Sequence, residues 1–199
     1  MARLEISLFL LINLLIYTPE SAIARPSKPT DFIKSSCRAT RYPVLCVQCL
    51  SSFAGEIHQS HRQLAIAALS ISISRTRSCS SFVHGQATRT KNPREHRAVQ
   101  DCIENMADSL DRLHQSVQEL GRTGRAAGQD FVWHISNVQT WVSAALTDQD
   151  TCLDGFSGSG SGSDENLKAA IRRRVVNVAQ VTSNALALVN RFASRHRSL

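Results

Sequence analysis

The sequence is poor in residues that interrupt regular structure and in motifs that mark catalysis. Its 199 residues include only nine Gly and five Pro, too few for a collagen-like chain or a long disordered region. It contains no G-x-S-x-G nucleophile motif, no glycine-rich phosphate-binding loop and no H-E-x-x-H zinc motif. We therefore predict no catalytic residues and no cofactor, in a chain whose length suits one domain with a substantial core.

Long hydrophobic runs are also missing, except for one near the N-terminus. Residues 8–16 are apolar apart from Asn13, and residues 22–24 (Ala-Ile-Ala) have the small-residue pattern of a signal-peptidase site. Because the run is too short to span a bilayer, it predicts a signal peptide over residues 1–24 and a secreted mature protein over residues 25–199. The alternative is an uncleaved anchor. No later segment is apolar enough to span a membrane, so no membrane partner is expected.

Acidic residues are in the minority. The chain has 23 Lys and Arg against 16 Asp and Glu, a formal charge of +7 at pH 7. Such an excess is typical of proteins that bind nucleic acid or other polyanions. The predicted secretion argues against a nucleic-acid partner, and the absence of any Asn-x-Ser/Thr sequon argues against N-glycosylation.

Six Cys in a secreted chain predict disulfide bonds, although their spacing alone leaves the pairing open. Cys46-x-x-Cys49, followed by His58 and His61, could indicate zinc or redox chemistry. The intervals do not fit a zinc finger, there is no second C-x-x-C, and no βαβ pattern surrounds the motif. We therefore predict no metal site.

Three segments repeat apolar residues every three or four positions, the period of an amphipathic helix. The three seams are Val99, Ile103, Met106, Leu110, Leu113, Val117 and Leu120; Phe131, Ile135, Val138, Val142 and Ala145; and Ile171, Val175, Val178, Thr182, Ala185, Val189 and Phe192. Thr182 is the only polar residue among them. Residues 155–163 (GFSGSGSGS) form a flexible connection that lets the last helix fold back, and Asp164 is its expected N-cap.

The segment 61–83 has two interpretations. Residues 71–74 alternate like a strand, whereas a helix would place five residues on one face. These are Leu64, Ala68, Ile71, Ser78 and Phe82. We favour a helix, because three amphipathic helices need a fourth to cover them and no second strand is indicated. The predicted fold class is all-α: an antiparallel up-down four-helix bundle over residues 61–193, preceded by a helical hairpin over residues 30–57.

Three acidic residues of the segment 94–122 are spaced by four and three and therefore share one helical face. They are Glu104, Asp108 and Asp111, called the acidic ridge below. The segment carries six acids and four bases, net −2, within a basic protein. The ridge has three interpretations: a solvated helix face, a pair of carboxylates for glycoside hydrolysis, or a docking surface for a basic patch on a partner protein. A helix surface lacks the walled pocket that hydrolysis requires.

The basic residues concentrate at the other end of the chain. Residues 164–199 carry seven Lys and Arg against Asp164 and Glu165, net +5. This segment is either a solvated outer face or a surface attracted to an acidic polymer such as a wall polyuronate, in an interaction weakened by salt.

The order of these segments resembles the plant invertase and pectin methylesterase inhibitor family. The resemblance rests on SSCRATRYPVLCVQCLSSFA (35–54), DCIENMADSLDRL (101–113), TWVSAALTDQDTCLDGF (140–156) and VAQVTSNALALVNRFA (178–193), and it covers nearly all of the mature chain. Residues 140–152 are similar to the pectin methylesterase branch. The Pro-Lys-Phe stretch that invertase inhibitors have before the third bundle helix is absent from residues 121–131.

The resemblance implies a protein without catalytic activity that covers the pectin-binding cleft of pectin methylesterase in a one-to-one complex, in the apoplast or cell wall. It implies a disulfide-closed hairpin through Cys37–Cys46 and a second disulfide, Cys102–Cys152. It also implies that the family's enzyme contacts fall on the acidic ridge, with Thr151 as a weaker contact. The alternatives are an inhibitor of acid invertase and a non-inhibitory wall protein that associates electrostatically with pectin.

The chain departs from the family pattern at three positions. Cys49 and Cys79 are outside the usual four cysteines, and they could pair, link two chains or remain free thiols. Met106 stands where many family members have Tyr, which would change the packing beside the acidic ridge.

Overall fold

The computed structural model describes residues 29–90, 92–157 and 164–197. The predicted signal peptide and the middle of the Gly/Ser connection lie outside these residues. Within them all regular secondary structure is helical, so the all-α fold class is confirmed. The elements are α1 (Pro29–Cys37), α2 (Pro43–Leu50), a 3₁₀ turn (Ser51–Phe53), α3 (Ala54–Ile57), α4 (His61–His84), α5 (Pro93–Arg122), α6 (Gly128–Asp154) and α7 (Glu165–Arg197).

The long helices α4 to α7 form the predicted bundle. Each packs against the helices next to it in sequence, and α7 closes the bundle by packing against α4. The antiparallel arrangement of α5 and α6 follows from two contacts. Cys102 is bonded to Cys152, and the Ser109 hydroxyl donates to the Ala145 carbonyl at 3.2 Å. Seven residues forward along α5 therefore correspond to seven residues backward along α6.

Side-chain caps determine where three of the bundle helices begin. The Ser60 hydroxyl accepts from the Gln63 amide at 3.3 Å at the start of α4, and Asn92 Oδ1 accepts from the Arg94 amide at 2.9 Å at the start of α5. Asp164 Oδ1 accepts from two amides of the first turn of α7, at 3.0 and 3.1 Å. The predicted Asp164 cap is therefore confirmed. Each cap satisfies backbone donors that the helix itself cannot pair.

The face predicted for α4 is only partly correct. Its first half is buried as expected, but Ser78 is exposed and Phe82 only half-buried, because the buried face instead passes through Ser72 and Thr76. Their hydroxyls donate to the carbonyls four residues earlier, at 3.1 and 2.8 Å. A buried hydroxyl paired in this way carries little desolvation cost, so polar residues can occupy a core face that a hydrophobic pattern misses.

The buried stripe of α5 follows the predicted seam but is displaced towards α6. Four of the seven seam residues are fully buried, whereas Ile103, Leu110 and Val117 are half-buried. Glu95 and Glu119 are also buried, near the two ends of the helix. The remaining buried residues of α5 are small: Cys102, Ser109 and Ser116.

A polar contact crosses the centre of the bundle at the one polar residue of the predicted seams. Thr182 is fully buried on α7, and the Gln149 amide of α6 donates to its hydroxyl at 3.2 Å. The same Gln149 amide donates to the Ser109 hydroxyl of α5 at 2.8 Å. Three helices are thereby linked at a single level, which favours one packing register over alternative registers.

The N-terminal hairpin, α1 and α2, is closed by the Cys37–Cys46 disulfide that the resemblance implies. It packs on the α4 and α7 side of the bundle, with Ile33 and Leu50 buried in the shared core. Asn184 of α7 fixes its position: the side-chain amide accepts from the Tyr42 amide at 3.0 Å and donates to the Tyr42 carbonyl at 2.9 Å. The polar backbone of the hairpin turn is therefore paired where it meets the bundle.

Cys49 and Cys79 are free thiols. Cys49 of α2 lies close to Ile71 of α4, since both line one small cavity. Cys79 lies eight residues beyond Ile71 along α4. Eight residues of helix span about 12 Å, and a disulfide requires Cα atoms within about 7 Å. The possibility that these two cysteines pair with each other is therefore wrong for this fold.

Candidate functional site

The acidic ridge lies on the outward face of α5. Glu104, Asp108 and Asp111 are all exposed, and none of these carboxylates takes part in an ion pair with the described residues. Asp101, one turn before Glu104, is also exposed and extends the same face. Like charges at these spacings repel one another by a few tenths of a kcal/mol per pair. The helix therefore carries a charged surface that makes no favourable contribution to its own folding.

Arg112 is the base nearest to the ridge in sequence, but it forms an ion pair with an acid of another helix. Its Nε donates to Asp148 Oδ2 of α6 at 2.8 Å, rather than pairing with Asp108 one turn earlier on α5. The Asp148 side chain is only 13% exposed. Burial raises the pKa of the Asp148 carboxyl above its ordinary value, the adjacent Arg112 guanidinium opposes that rise, and the Asp108 charge adds to it. The ion pair leaves the ridge uncompensated.

Sequence reasoning did not identify Asp148. It belongs to another helix, and its closeness to the ridge depends on how α5 and α6 are aligned. The one available signal was the Cys102–Cys152 pairing, since antiparallel packing from that point places residue 148 opposite residue 106.

Thr151 lies at the Glu104 end of the ridge. It precedes Cys152, which the disulfide holds next to Cys102 with a Cα–Cα distance of 4.4 Å, two residues before Glu104. Thr151 is exposed, and its hydroxyl donates to the Thr147 carbonyl at 2.8 Å. The structure therefore places all four predicted contact residues on the surface of the two adjoining helices α5 and α6.

The bundle as a whole separates charge between its two sides. Helices α5 and α6 together carry ten Asp or Glu and four Arg, a formal −6, and α6 has no Lys or Arg at all. Helices α4 and α7 carry ten Lys or Arg and one Glu, a formal +9. Since α4 and α7 pack against each other, as do α5 and α6, the acidic and basic pairs occupy opposite sides. The net charge of the chain conceals this division.

A buried carboxylate links the end of α5 to the beginning of α6. Glu119 accepts from His134 Nδ1 at 2.8 Å, Asn137 Nδ2 at 3.1 Å and the Arg122 guanidinium at 2.8 Å. Burial alone would raise the pKa of Glu119, but these partners outweigh it and hold the pKa below its ordinary value. The ionised group therefore stabilises the fold above the unfolded-state pKa, and that stabilisation is lost as the pH falls through the lowered one.

His134 thus binds a structural carboxylate. In the described part of the chain, no three His, Cys, Asp or Glu side chains are grouped so that they could hold a metal ion. None of the helices described is both long and apolar enough to cross a membrane.

Comparison with known proteins gives one consistent result. The family model for plant invertase/pectin methylesterase inhibitors matches residues 31–188. "Pectinesterase inhibitor 9" of Arabidopsis thaliana is 51% identical over 97% of each chain, and the "21 kDa protein" of Daucus carota is 45% identical over 88% of this chain and 91% of its own. A crystal structure of a mutant pectin methylesterase inhibitor from Arabidopsis covers 82% of this chain and 97% of its own, with a TM-score of 0.63 at 18% identity.

Proposed function

The chain belongs to the plant invertase/pectin methylesterase inhibitor family, and we propose that it inhibits a pectin methylesterase. It is not an enzyme: the relatives that it matches over nearly their whole length are named as inhibitors. The observation that carries the proposal is the 51% identity, over 97% of both chains, to a protein named as a pectinesterase inhibitor. The proposed consequence is slower removal of methyl esters from pectin.

The proposed mechanism is occlusion in a one-to-one complex. The acidic ridge and Thr151 would contact cationic groups beside the pectin-binding cleft, so that the bundle covers the cleft without entering any chemistry. Uncompensated, exposed carboxylates support this role, because they attract a basic partner at a distance and favour it over an acidic one. The ion pair of Arg112 with Asp148 supports it further, by keeping an internal base away from the ridge.

We propose that the protein acts in the apoplast or cell wall. The proposal rests on the predicted signal peptide over residues 1–24 and on disulfide bonds, which form in oxidising compartments. The two disulfides of the fold, Cys37–Cys46 and Cys102–Cys152, fit that compartment.

Titration of the purified protein against a pectin methylesterase and an acid invertase tests the target. We expect saturable inhibition of the methylesterase at one inhibitor per enzyme, and no inhibition of the invertase at the same concentrations. The family description names both targets, so the invertase is the required comparison. Inhibition of the invertase alone would overturn the assignment. Inhibition of neither enzyme, with binding to pectin retained, would favour the non-inhibitory wall protein.

Asp148→Asn is expected to weaken inhibition about two- to fivefold near neutral pH, because Arg112 would lose its carboxylate and become free to pair with Asp108 at i,i+4. The same change is expected to flatten the pH dependence of inhibition.

In the unmodified protein, acidification protonates Asp148 early, because its pKa is raised. Arg112 then loses its partner and becomes free to pair with the acidic ridge. Inhibition should therefore decline as the pH falls towards 4, where ordinary carboxyl groups also titrate. Inhibition constants measured across this range provide the comparison.

Asp150→Asn is the matched control. Asp150 is on the same helix, is exposed, and its replacement removes the same charge while leaving the Arg112–Asp148 pair intact. We expect it to retain the pH profile of the unmodified protein. An equal flattening of the profile in both variants would show that Arg112 is not the relevant group.

A further inference from the structure

The basic side of the bundle contains a cavity that the inhibitory surface does not use. It lies between α4 and α7 and has a volume of about 210 Å³. We call it the arginine groove, and its lining residues are Arg75, Ser78, Cys79, Arg173, Arg174, Asn177 and Val178. All three arginines are exposed, whereas Cys79 and Val178 are buried. The groove therefore has an apolar base beneath three cationic side chains.

No negative charge compensates these arginines within the described residues. No carboxylate lines the groove, α4 has no Asp or Glu, and the one acidic residue of α7, Glu165, bonds Lys168 at 3.1 Å. The Cys79 thiol does not supply a charge either, because burial raises its pKa to about 11 despite the nearby Arg174. Three like charges thus line one groove without a carboxylate partner, and an anion bound between them would relieve their mutual repulsion.

One of the arginines is held in place in advance. The Arg174 guanidinium carbon lies 3.9 Å from the centroid of the Phe82 ring of α4, so this α7 side chain crosses to the neighbouring helix through a cation–π contact. Arg75 lines the groove from α4, and Arg173 lines it from α7. A planar guanidinium fixed in orientation can bind a carboxylate through two parallel hydrogen bonds.

We propose that the arginine groove binds a uronate segment of de-esterified pectin through its sugar carboxylates. The groove is smaller than the roughly 300–1,000 Å³ of typical small-molecule pockets, and it is open to solvent, so it suits one or two units of an extended polymer. The Ser78 hydroxyl and the Asn177 amide offer neutral partners for sugar hydroxyls. The identity of the polymer rests on the proposed function, since removal of methyl esters from pectin produces this polyanion.

The position of the groove determines which surface of the inhibitor stays accessible when a uronate chain is bound. The arginine groove belongs to the α4 and α7 side, with a formal +9, while the acidic ridge belongs to the opposite α5 and α6 side, with −6. A bound uronate chain would therefore leave the ridge accessible. The inhibitor would be concentrated on pectin that has already lost its esters, with its enzyme-binding surface directed away from the polymer.

Calorimetric titration with a size-fractionated oligogalacturonate tests the proposal. We expect binding that salt weakens, and a loss of affinity of about tenfold or more in the triple variant Arg75→Ala, Arg173→Ala, Arg174→Ala, because three exposed ion pairs are removed. The matched control is Arg89→Ala, Arg94→Ala, Arg97→Ala, which removes the same charge from exposed positions outside the groove. We expect the control to lose less than about threefold. Equal losses in the two triple variants would overturn the site, since net charge alone would then explain the binding.

Two further ligands identify what the groove recognises. The fully methyl-esterified oligomer of the same length should not bind measurably, and inorganic phosphate at equal ionic strength should not displace the uronate. Binding of the neutral oligomer with equal affinity would contradict carboxylate recognition, and efficient displacement by phosphate would make the groove a general anion site rather than a uronate site.

Inhibition of pectin methylesterase separates this inference from the proposed function. Both triple variants should inhibit as the unmodified protein does, which also reports that they are folded. Should the full triple variant unfold, Arg75→Ala with Arg173→Ala leaves the Arg174–Phe82 contact and should still lose about fivefold. Inhibition without uronate binding would overturn the groove alone, and uronate binding without inhibition of any methylesterase would overturn the proposed function alone.

Discussion

Replacing Glu104, Asp108 and Asp111 together by Ala is expected to weaken inhibition of pectin methylesterase by about 100-fold. The expectation assigns about 1 kcal/mol to each carboxylate in the complex, the upper range for exposed charge pairs. The three side chains are exposed and form no ion pair with the described residues. Their removal therefore leaves no buried group unpaired in the free inhibitor. Inhibition constants at low and moderate salt give the measurement, and the difference between variants should shrink as salt rises.

The stability of the same variant provides an internal check. Ala has a higher helix propensity than Glu or Asp, and the replacements remove repulsion between carboxylates on one helical face. The melting temperature should therefore stay the same or rise slightly while inhibition falls. A matched control is Asp31→Ala, Glu56→Ala, Asp130→Ala, which removes three exposed acids outside α5. If the control lost as much inhibition as the ridge variant, or if the ridge variant lost none, the ridge would not be the enzyme-binding surface.

The second large effect concerns the disulfide between α5 and α6. Replacing both Cys102 and Cys152 by Ala is expected to lower the free energy of unfolding by about 4 kcal/mol on the chain-entropy estimate, because the bond closes a loop with a sequence separation of 50. For a chain of this size, such a loss lowers the melting temperature by about 8–16 °C. Thermal unfolding and urea titration of the oxidised proteins measure both quantities.

Two comparisons isolate the contribution of the cross-link. The Cys37–Cys46 bond has a sequence separation of only nine, so its removal should cost less, about 2.7 kcal/mol on the same estimate. Cys79→Ala removes a buried sulfur atom without breaking any bond, and it reports the cost of lost packing alone. A loss for Cys102→Ala, Cys152→Ala no greater than that for Cys79→Ala would contradict stabilisation by the cross-link.

The helices of the bundle were predictable because their signals are local. A seam such as Val99 to Leu120 follows from the helical period, and the Asp164 cap follows from one side chain beside its own backbone. The second half of α4 was assigned the wrong face for a related reason. The hydrophobic pattern counts Ser72 and Thr76 as polar, but their hydroxyls bond to their own helix and can therefore be buried.

The surface groups were predictable only in part. Spacing alone grouped the three carboxylates of the acidic ridge, since residues three and four apart on a helix share a face. It did not reveal the role of Arg112, which is close to the ridge in sequence but bonds Asp148 on α6. The sequence also could not predict the arginine groove. Arg75 is about 100 residues away from Arg173 in the chain, and the two line the same groove only because α4 packs against α7.

The sequence by itself therefore determined the four long helices, the common face of the acidic ridge and, through family resemblance, the two disulfide pairs. The tertiary structure alone decided how the neighbouring helices are aligned, and with that which side chains meet between them. The physical reason is the range of the interactions. Helical periodicity and capping act within about one or two turns, whereas the pairing of Arg112 with Asp148 and the convergence of the three arginines depend on the alignment of packed helices, which no local pattern specifies.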